Sequence, residues 1–354
     1  MKQQRQIYSI QVLRGAAALL VVVHHACNFL VEHSFGGGGD FKIGAIGVDI
    51  FFIISGFIMY CSTLGHKGTL KETLAFWKKR IVRIVPLYWL ITAFIVIASF
   101  AQPASASSAA VTLTGFVKSI LFIPYVSTGG LMQPVVGQGW TLNYEMFFYA
   151  VLGCVLLVSP RHMLVRIAAV FAIFQFSAWC ASGKSVALGF YASPMMFEFV
   201  AGVVLAKLYL RHQLPPQWLL NCGVVLGAFL LARDQGFKAY FSSEWHRIAV
   251  WGVFSFILVA GLLRSESWWS SRAPRIMTFL GDASYSIYLS HVVAFSIFWK
   301  VLARLPVAHE LPAAAVLVTL CLFATLFGSA LYWFVERGLT KIFSGSKRRL
   351  VIQT

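Results

Sequence analysis

The sequence predicts an all-α polytopic membrane protein: a bundle of about ten transmembrane helices with both termini cytoplasmic. Three observations carry this. Of 354 residues, 59% are hydrophobic and 12% charged, and the mean hydropathy is +0.77, whereas a soluble domain carries about 25% charged residues. Ten apolar runs approach the roughly 20 residues needed to cross a bilayer: 8–30, 44–63, 82–101, 140–158, 164–181, 190–210, 217–233, 246–263, 283–303 and 312–335. The basic residues alternate with these runs. With the N-terminus in the cytoplasm, twenty of the 29 lysines and arginines fall on inner segments and eight on outer ones, with Arg14 inside the first run, as the positive-inside rule requires. The same bias accounts for most of the net charge of +17. It argues against nucleic acid as a partner, because the positives lie between apolar runs and not on one soluble domain.

The first run, Ile7 to Leu30, is too long for the apolar core of a cleavable leader and is expected to stay as an anchor. It carries Arg14, His24 and His25. An arginine inside a membrane helix costs roughly 2.5–3.5 kcal/mol on insertion scales. Arg14 and His25 are eleven residues apart, about three turns, so they share a face and lie about 16 Å apart along the axis. His24 points about 100° away. A cation near one surface and a deeper imidazole fit a catalytic helix; a snorkelling anchor and a helix-packing histidine fit the same residues.

The second run holds Asp49 and Ser55-Gly56. A lone intramembrane carboxylate wants a positive or hydrogen-bonding partner, and His25 at comparable depth is the partner expected; Ser55-Gly56 would permit close helix approach. The inner connection that follows reads FWKKRIVRIVPLY, Phe76 to Tyr88. Lys79, Arg80 and Arg83 gather there, Arg80 and Arg83 on one face by their i, i+3 spacing. Arginine forks suit phosphate oxygens, so with Arg14 these residues point to a site for a phosphorylated cytosolic molecule. Ordinary positive-inside bias is the alternative.

The outer connection from Ala101 to Gly139 is the longest. Its first part, PASASSAAVTLTG, is small and polar, and Gly115 to Tyr125 is apolar but too short to span, so that it lies at the interface or re-enters the bundle. The fourth helix opens with Trp140, an interfacial residue, followed by Asn143, Tyr144, Glu145 and Tyr149. Glu145 fits a hydrogen-bond acceptor for a sugar hydroxyl, a general base or a salt-bridge partner. Glu198 lies in the sixth run. The ninth opens GDASYSIYLSH, with Asp282 and Ser284 as N-cap candidates and Tyr285, Tyr288 and His291 on one face. Glu336 and Arg337 close the tenth and read as interfacial. The six cysteines, none in a C-x-x-C pair, read as packing residues, and no metal site is expected.

These stretches, in this order, resemble the acyltransferase 3 family of integral-membrane acyltransferases. The likeness rests on Arg14 and His25 with ten residues between them, GVDIFFIISGF (Gly47 to Phe57), the basic FWKKRIVRIVPLY, WTLNYEMFFY (Trp140 to Tyr149), SYSIYLSH (Ser284 to His291) and FVER (Phe334 to Arg337). It makes residues 1–340 the acyltransferase 3 transmembrane domain and 341–354 a short basic cytoplasmic tail. In form it looks like the branch that acetylates bacterial exopolysaccharides. The resemblance implies transfer of an acetyl group from cytosolic acetyl-CoA, a co-substrate, to a glycan hydroxyl, in the bacterial cytoplasmic (inner) membrane. His25 would be the catalytic histidine with Arg14 its companion, Asp49 and Glu145 would support it, and Arg14, Lys79, Arg80 and Arg83 would hold the coenzyme phosphates. Trp140, Asn143, Tyr144, Glu145, Tyr149, Tyr288 and His291 would face the carbohydrate acceptor. The expected partners are thus a coenzyme A thioester, a carbohydrate and the lipid bilayer, with a homo-oligomer left open. A glycan or lipid-linked sugar translocator and a scaffold for polysaccharide synthesis are the competing readings.

Overall fold

The computed structural model describes residues 6–33, 41–100, 111–181, 185–233, 243–305 and 311–344, and among them every regular element is helical. The expected first part of the outer connection at 101–110 and the last ten residues of the basic tail lie outside the described residues, as do Lys2, Arg5, Lys184 and Lys238. The ten apolar runs are helical in the main, the sixth with a break at 192–195. Among the described residues nine stretches are long and apolar enough to cross a membrane, and a tenth, Gln217–Arg233, is apolar but shorter.

In chain order the helices are α1 (Tyr8–Glu32), α2 (Ile46–Ser62), α3 (Leu70–Phe100), α4 (Leu113–Ile120), α5 (Trp140–Val158), α6 (Met163–Ala181), α7 (Val186–Tyr191), α8 (Met196–Leu210) and α9 (Gln217–Arg233). Next comes α10 (Glu244–Arg264), which passes through a π-helical turn at Ile248–Gly252. Then follow α11 (Glu266–Arg272), α12 (Arg275–Leu302), α13 (Ala313–Leu331), a second π-turn at Tyr332–Glu336, and α14 (Arg337–Ser344).

The spine of the bundle is the pair α1 and α12, which run parallel: Arg14 meets Ser284, His25 meets His291, and Leu30 and Leu302 share one cluster. Their approach needs Gly281, where a Cβ would sit 2.1 Å from the Gln11 carbonyl oxygen. On the other side, α2 packs on α8 through Gly56 and Gly202. A Cβ at Gly56 would fall 2.0 Å from the Phe199 carbonyl oxygen, so the glycine after Ser55 does serve close approach. Burial is highest in α1 and α2 and lowest in the helices at the periphery. The apolar windows of α1 and α2 are 72% and 78% buried, those of α6 and the α13–α14 stretch 17% and 22%. The latter carry Phe176, Trp179, Leu326 and Phe334 on their outer faces, as lipid-facing helices do.

Two boundaries differ from expectation and both matter to the site. The basic stretch Phe76 to Tyr88, read as a connection, lies wholly within α3, whose 31 residues extend about 46 Å. Its start is fixed by a capping box: the Glu72 amide donates to Thr69 Oγ1, while the Thr69 hydroxyl donates to the Glu72 carboxylate at 2.9 Å. Likewise α12 begins at Arg275, straight after Pro274. Asp282 and Ser284 are therefore interior residues and not caps.

The segment between α3 and α5 folds inward. The Trp89 indole donates to the Ile120 carbonyl at 2.9 Å, and Phe122 stacks on Tyr88 with ring centroids 4.8 Å apart. Trp89 is eleven residues, about 16 Å, before the end of α3. These contacts pack one side of the segment against the middle of α3, while Leu113, Leu121 and Ile123 on the other side stay exposed. Gln138 anchors its far end by donating to the Leu289 carbonyl of α12 at 2.6 Å, which sets the depth at which α5 starts.

Candidate active site

A cavity of about 80 Å³ opens between α1, α2, α3, α5 and α12. Three guanidinium groups line it: Arg14 from α1, and Arg80 and Arg83 from α3. Because the basic stretch is helical, the i, i+3 spacing of Arg80 and Arg83 is rigidly held on the face turned toward Arg14. Arg14 is 4% exposed. It donates to two neutral oxygens, Gln11 Oε1 at 3.1 Å and Ser284 Oγ at 2.9 Å. Lys79, expected in this cluster, lies on the exposed side of α3 and does not line the cavity.

The single carboxylate of the lining is Glu145. Ser55 Oγ donates to its Oε1 at 2.7 Å, and the Tyr149 hydroxyl donates to the same oxygen. Thr141, Glu145 and Tyr149 recur at i, i+4 and i+8 on α5, so one helix face supplies all three to the cavity. The opposite face takes the remaining residues expected to meet an acceptor. Tyr144 stacks on Phe190 with centroids 4.1 Å apart, Trp140 packs edge-on against Tyr144, and Asn143 is buried. These three do not line the cavity, because a step of one residue turns the helix by about 100°.

From α12, Ser284, Tyr285 and Tyr288 reach the cavity. The Tyr285 hydroxyl donates to the Ile84 carbonyl at 2.7 Å, tying α12 to α3 beside Pro86. The Tyr288 hydroxyl lies 3.0 Å from Thr141 Oγ1 and 3.2 Å from the Gln138 carbonyl. Glu336, read as interfacial, turns inward on the second π-turn, where Ser286 Oγ donates to its Oε2 at 2.5 Å.

His25 does not line this cavity. Its ring is 4.9 Å from that of His291, and His291 is 6.0 Å from Tyr288, so the contacts run from the cavity wall through Tyr288 and His291 to His25. An open conduit from the arginines to His25 is thus not what the described residues form. Tyr288 and Phe51, 5.9 Å apart and both in the lining, stand at its end. His25 Nδ1 lies 3.0 Å from the Val21 carbonyl oxygen. A carbonyl only accepts, so Nδ1 carries the proton and a neutral ring keeps Nε2 as its basic atom. The same reasoning applies to His291, whose Nδ1 is 2.6 Å from the Tyr288 carbonyl. His24 is occupied by the Phe41 carbonyl at 2.9 Å and by Asn28.

The expected Asp49–His25 contact is corrected. Arg247 grips Asp49 with both arms, Nε to Oδ1 at 3.0 Å and Nη2 to Oδ2 at 2.7 Å, and Asp49 is fully buried. Arg247 also lies over the Trp251 ring at 4.8 Å, and Glu198 packs beneath Gly252 beside them. Asp49 therefore neither orients nor charges His25. In the sequence Arg247 counts among the outer positives, and its place as the second residue of the run 246–263 is the signal that could have found it.

The family model described as an acyltransferase domain matches residues 7–334. The chain belongs to the acyltransferase 3 family. Among similar proteins is the exopolysaccharide production protein ExoZ of Rhizobium meliloti, 35% identical over 88% of this chain and 94% of its own length. Acyltransferase MdmB of Streptomyces mycarofaciens is 26% identical, over 80% of this chain and 77% of its own. The peptidoglycan O-acetyltransferase OatA of Listeria monocytogenes is 25% identical over 81% of this chain but only 49% of its own length. No solved structure matches the chain. As a member of the acyltransferase 3 family the protein is a multi-pass membrane acyltransferase, in agreement with the class expected from its motifs.

Proposed function

We propose that this acyltransferase moves an acetyl group from cytosolic acetyl-CoA to a hydroxyl of a bacterial surface glycan or exopolysaccharide, in the bacterial cytoplasmic (inner) membrane, with His25 as the catalytic histidine. The observation that carries the donor half is the convergence of Arg14, Arg80 and Arg83 on one cavity. Guanidinium forks match phosphate oxygens in charge and shape, and coenzyme A is a phosphorylated, thioester-bearing molecule of the kind such a cavity receives. A carrier of neutral glycan would leave three positive groups without a ligand of matching charge. The acceptor half draws on the relatives named for exopolysaccharide production and peptidoglycan O-acetylation. The cytosolic placing of the arginines draws on the basic bias of the same side.

The chemistry asks for a base at the acceptor hydroxyl. His25 Nε2 takes that proton, the oxygen attacks the thioester carbonyl, the carbon–sulfur bond breaks, and the thiolate leaves and regains a proton. Arg14 and Arg83 hold the donor so that its acyl end passes Tyr288 toward the histidines, which requires the Tyr288 and Phe51 side chains to part.

The test is release of free coenzyme A thiol by purified protein given acetyl-CoA and a polysaccharide acceptor. Turnover is expected, together with a loss of at least ~10²-fold in His25→Ala, the usual size of a general-base contribution. Thiol release that His25→Ala leaves unchanged would remove His25. Glycan movement across vesicles with no thiol release would replace the enzyme by a translocator.

A further inference from the structure

Glu198 is a buried acid that the transfer above does not use. It lies in the first turn of α8 and is 2% exposed, and neither of its carboxyl oxygens meets a hydrogen-bond donor. Its place is closely defined. Oε1 lies 2.9 Å from the point where a Cβ on Gly252 would stand, so the glycine that ends the first π-turn leaves the room for this group. Asp49 of α2 is within hydrogen-bond reach of it, and Arg247 of α10 acts on its charge. From α5, Tyr144 lies near the same arginine, and a phenol is uncharged at neutral pH. An ionised Glu198 would thus have an anion against it and no donor. The nearby cation is already in two short bonds to Asp49. A carboxylate in such a position is costly to bury.

Two carboxyl groups in contact inside a protein do not both keep their charge: one holds a proton and the other accepts it. Arg247 decides which. Its bonds from Nε to Oδ1 and from Nη2 to Oδ2 fix Asp49 as the anion, which leaves Glu198 as the acid. We propose that the junction of α2, α8 and α10 is a proton-binding site, in which Glu198 carries a proton in the folded protein and donates a hydrogen bond to Asp49. The charges then sum to zero, since Arg247 cancels Asp49 and Glu198 bears none. The proton supplies the donor that the surroundings of Glu198 lack, and it adds α8 to the clamp between α2 and α10. The site lies behind the cavity wall and not in it: Asp49 follows Val48 and precedes Phe51 by two residues, and those two line the cavity while Asp49 does not. An unfolded glutamate is ionised at neutral pH, so folding takes up one proton here. Neither His25 nor coenzyme A enters this reading.

Infrared spectroscopy of the full chain in nanodiscs reads this proton directly. The C=O stretch of a protonated carboxyl group stands apart from the carboxylate and amide bands and shifts in heavy water. At neutral pH the difference between wild type and Glu198→Gln is expected to hold one such band, present in the wild type and lost in the variant. Loss of a carboxylate band in its place overturns the proposal. The same pair is then unfolded by heat across a range of pH. A site that takes up a proton on folding loses stability as pH rises. Above about pH 5, where an unfolded glutamate is ionised, the unfolding temperature of the wild type is expected to fall relative to that of Glu198→Gln, whose amide donates to Asp49 at every pH. Parallel curves overturn the proposal. Should Glu198→Gln not fold, Glu198→Met takes its place in both measurements, and the outcomes are read in the same way.

Discussion

Arg14 and Arg247 are both buried in helices of a membrane bundle, and they are held in opposite ways. Arg247 meets Asp49 through two short bonds and lies flat over Trp251. Its charge is neutralised within the protein, and the pair joins α10 to α2. Arg14 donates to the neutral oxygens of Gln11 and Ser284, has the Asp282, Glu336 and Glu145 carboxylates acting on its charge from further off, and borders a cavity shared with Arg80 and Arg83. A buried charge with no carboxylate bonded to it is costlier to keep than a clamped one. The difference separates an arginine clamped within the fold from one left unclamped at a cavity wall.

The comparison breaks first where the effects are largest. Arg247→Ala strands the Asp49 carboxylate in the interior and is expected to cost about 3–5 kcal/mol, seen as a lower unfolding temperature in detergent and a lower yield. Pairing Arg247→Met with Asp49→Leu should recover most of this, because an apolar pair of similar volume replaces a buried ion pair nearly neutrally. An Arg247→Ala protein as stable as the wild type would end the account of the clamp.

Arg14→Gln is expected to show the reverse pattern. The unfolding temperature stays near that of the wild type, while kcat/KM for acetyl-CoA falls by about 10- to 100-fold, the equivalent of one charged hydrogen bond worth about 1.5–3 kcal/mol. Arg14→Lys should not restore it, since an ammonium lacks the planar fork. If Arg14→Gln unfolds as Arg247→Ala does, the two arginines are the same kind of residue after all.

Smaller effects sharpen the boundary of the site. Tyr149→Phe and Ser55→Ala each remove one donor to Glu145, and each should lower kcat/KM by about 5- to 10-fold, in keeping with a loss of about 1–1.5 kcal/mol. Lys79→Ala, on the exposed side of α3, should change the KM for acetyl-CoA by less than about twofold, as surface substitutions away from a site do. A large Lys79 effect would mean that the cationic rim reaches further around α3 than the cavity does.

How much of this was legible depends on the range of the interaction. The ten helices were readable because an apolar run of bilayer length has few other destinations. The starts of α3 and α12 were not, since Leu70–Arg83 and Arg275–Gly281 are polar enough to pass for connections; only the Thr69–Glu72 capping box and Pro274 mark them. Within helices the period did its work: Arg80 with Arg83, and Glu145 with Tyr149, share faces as their spacing requires. Adjacent residues were overread: Tyr144 stacks on Phe190, and Asn143 is buried outside the cavity lining.

By itself, then, the sequence determined the class of molecule, the helices and the faces on which Arg14, His25, Arg83 and Glu145 project, because hydrophobic length and helical periodicity are local properties of the chain. Tertiary structure alone decided which of these charges stay open to a ligand. Asp49 and Arg247 are 198 residues apart, and His25 finds His291 on a helix more than 250 positions later. Such pairs form because bundle packing brings α2 to α10 and α1 to α12 at matching depth, and no spacing along the chain encodes that depth.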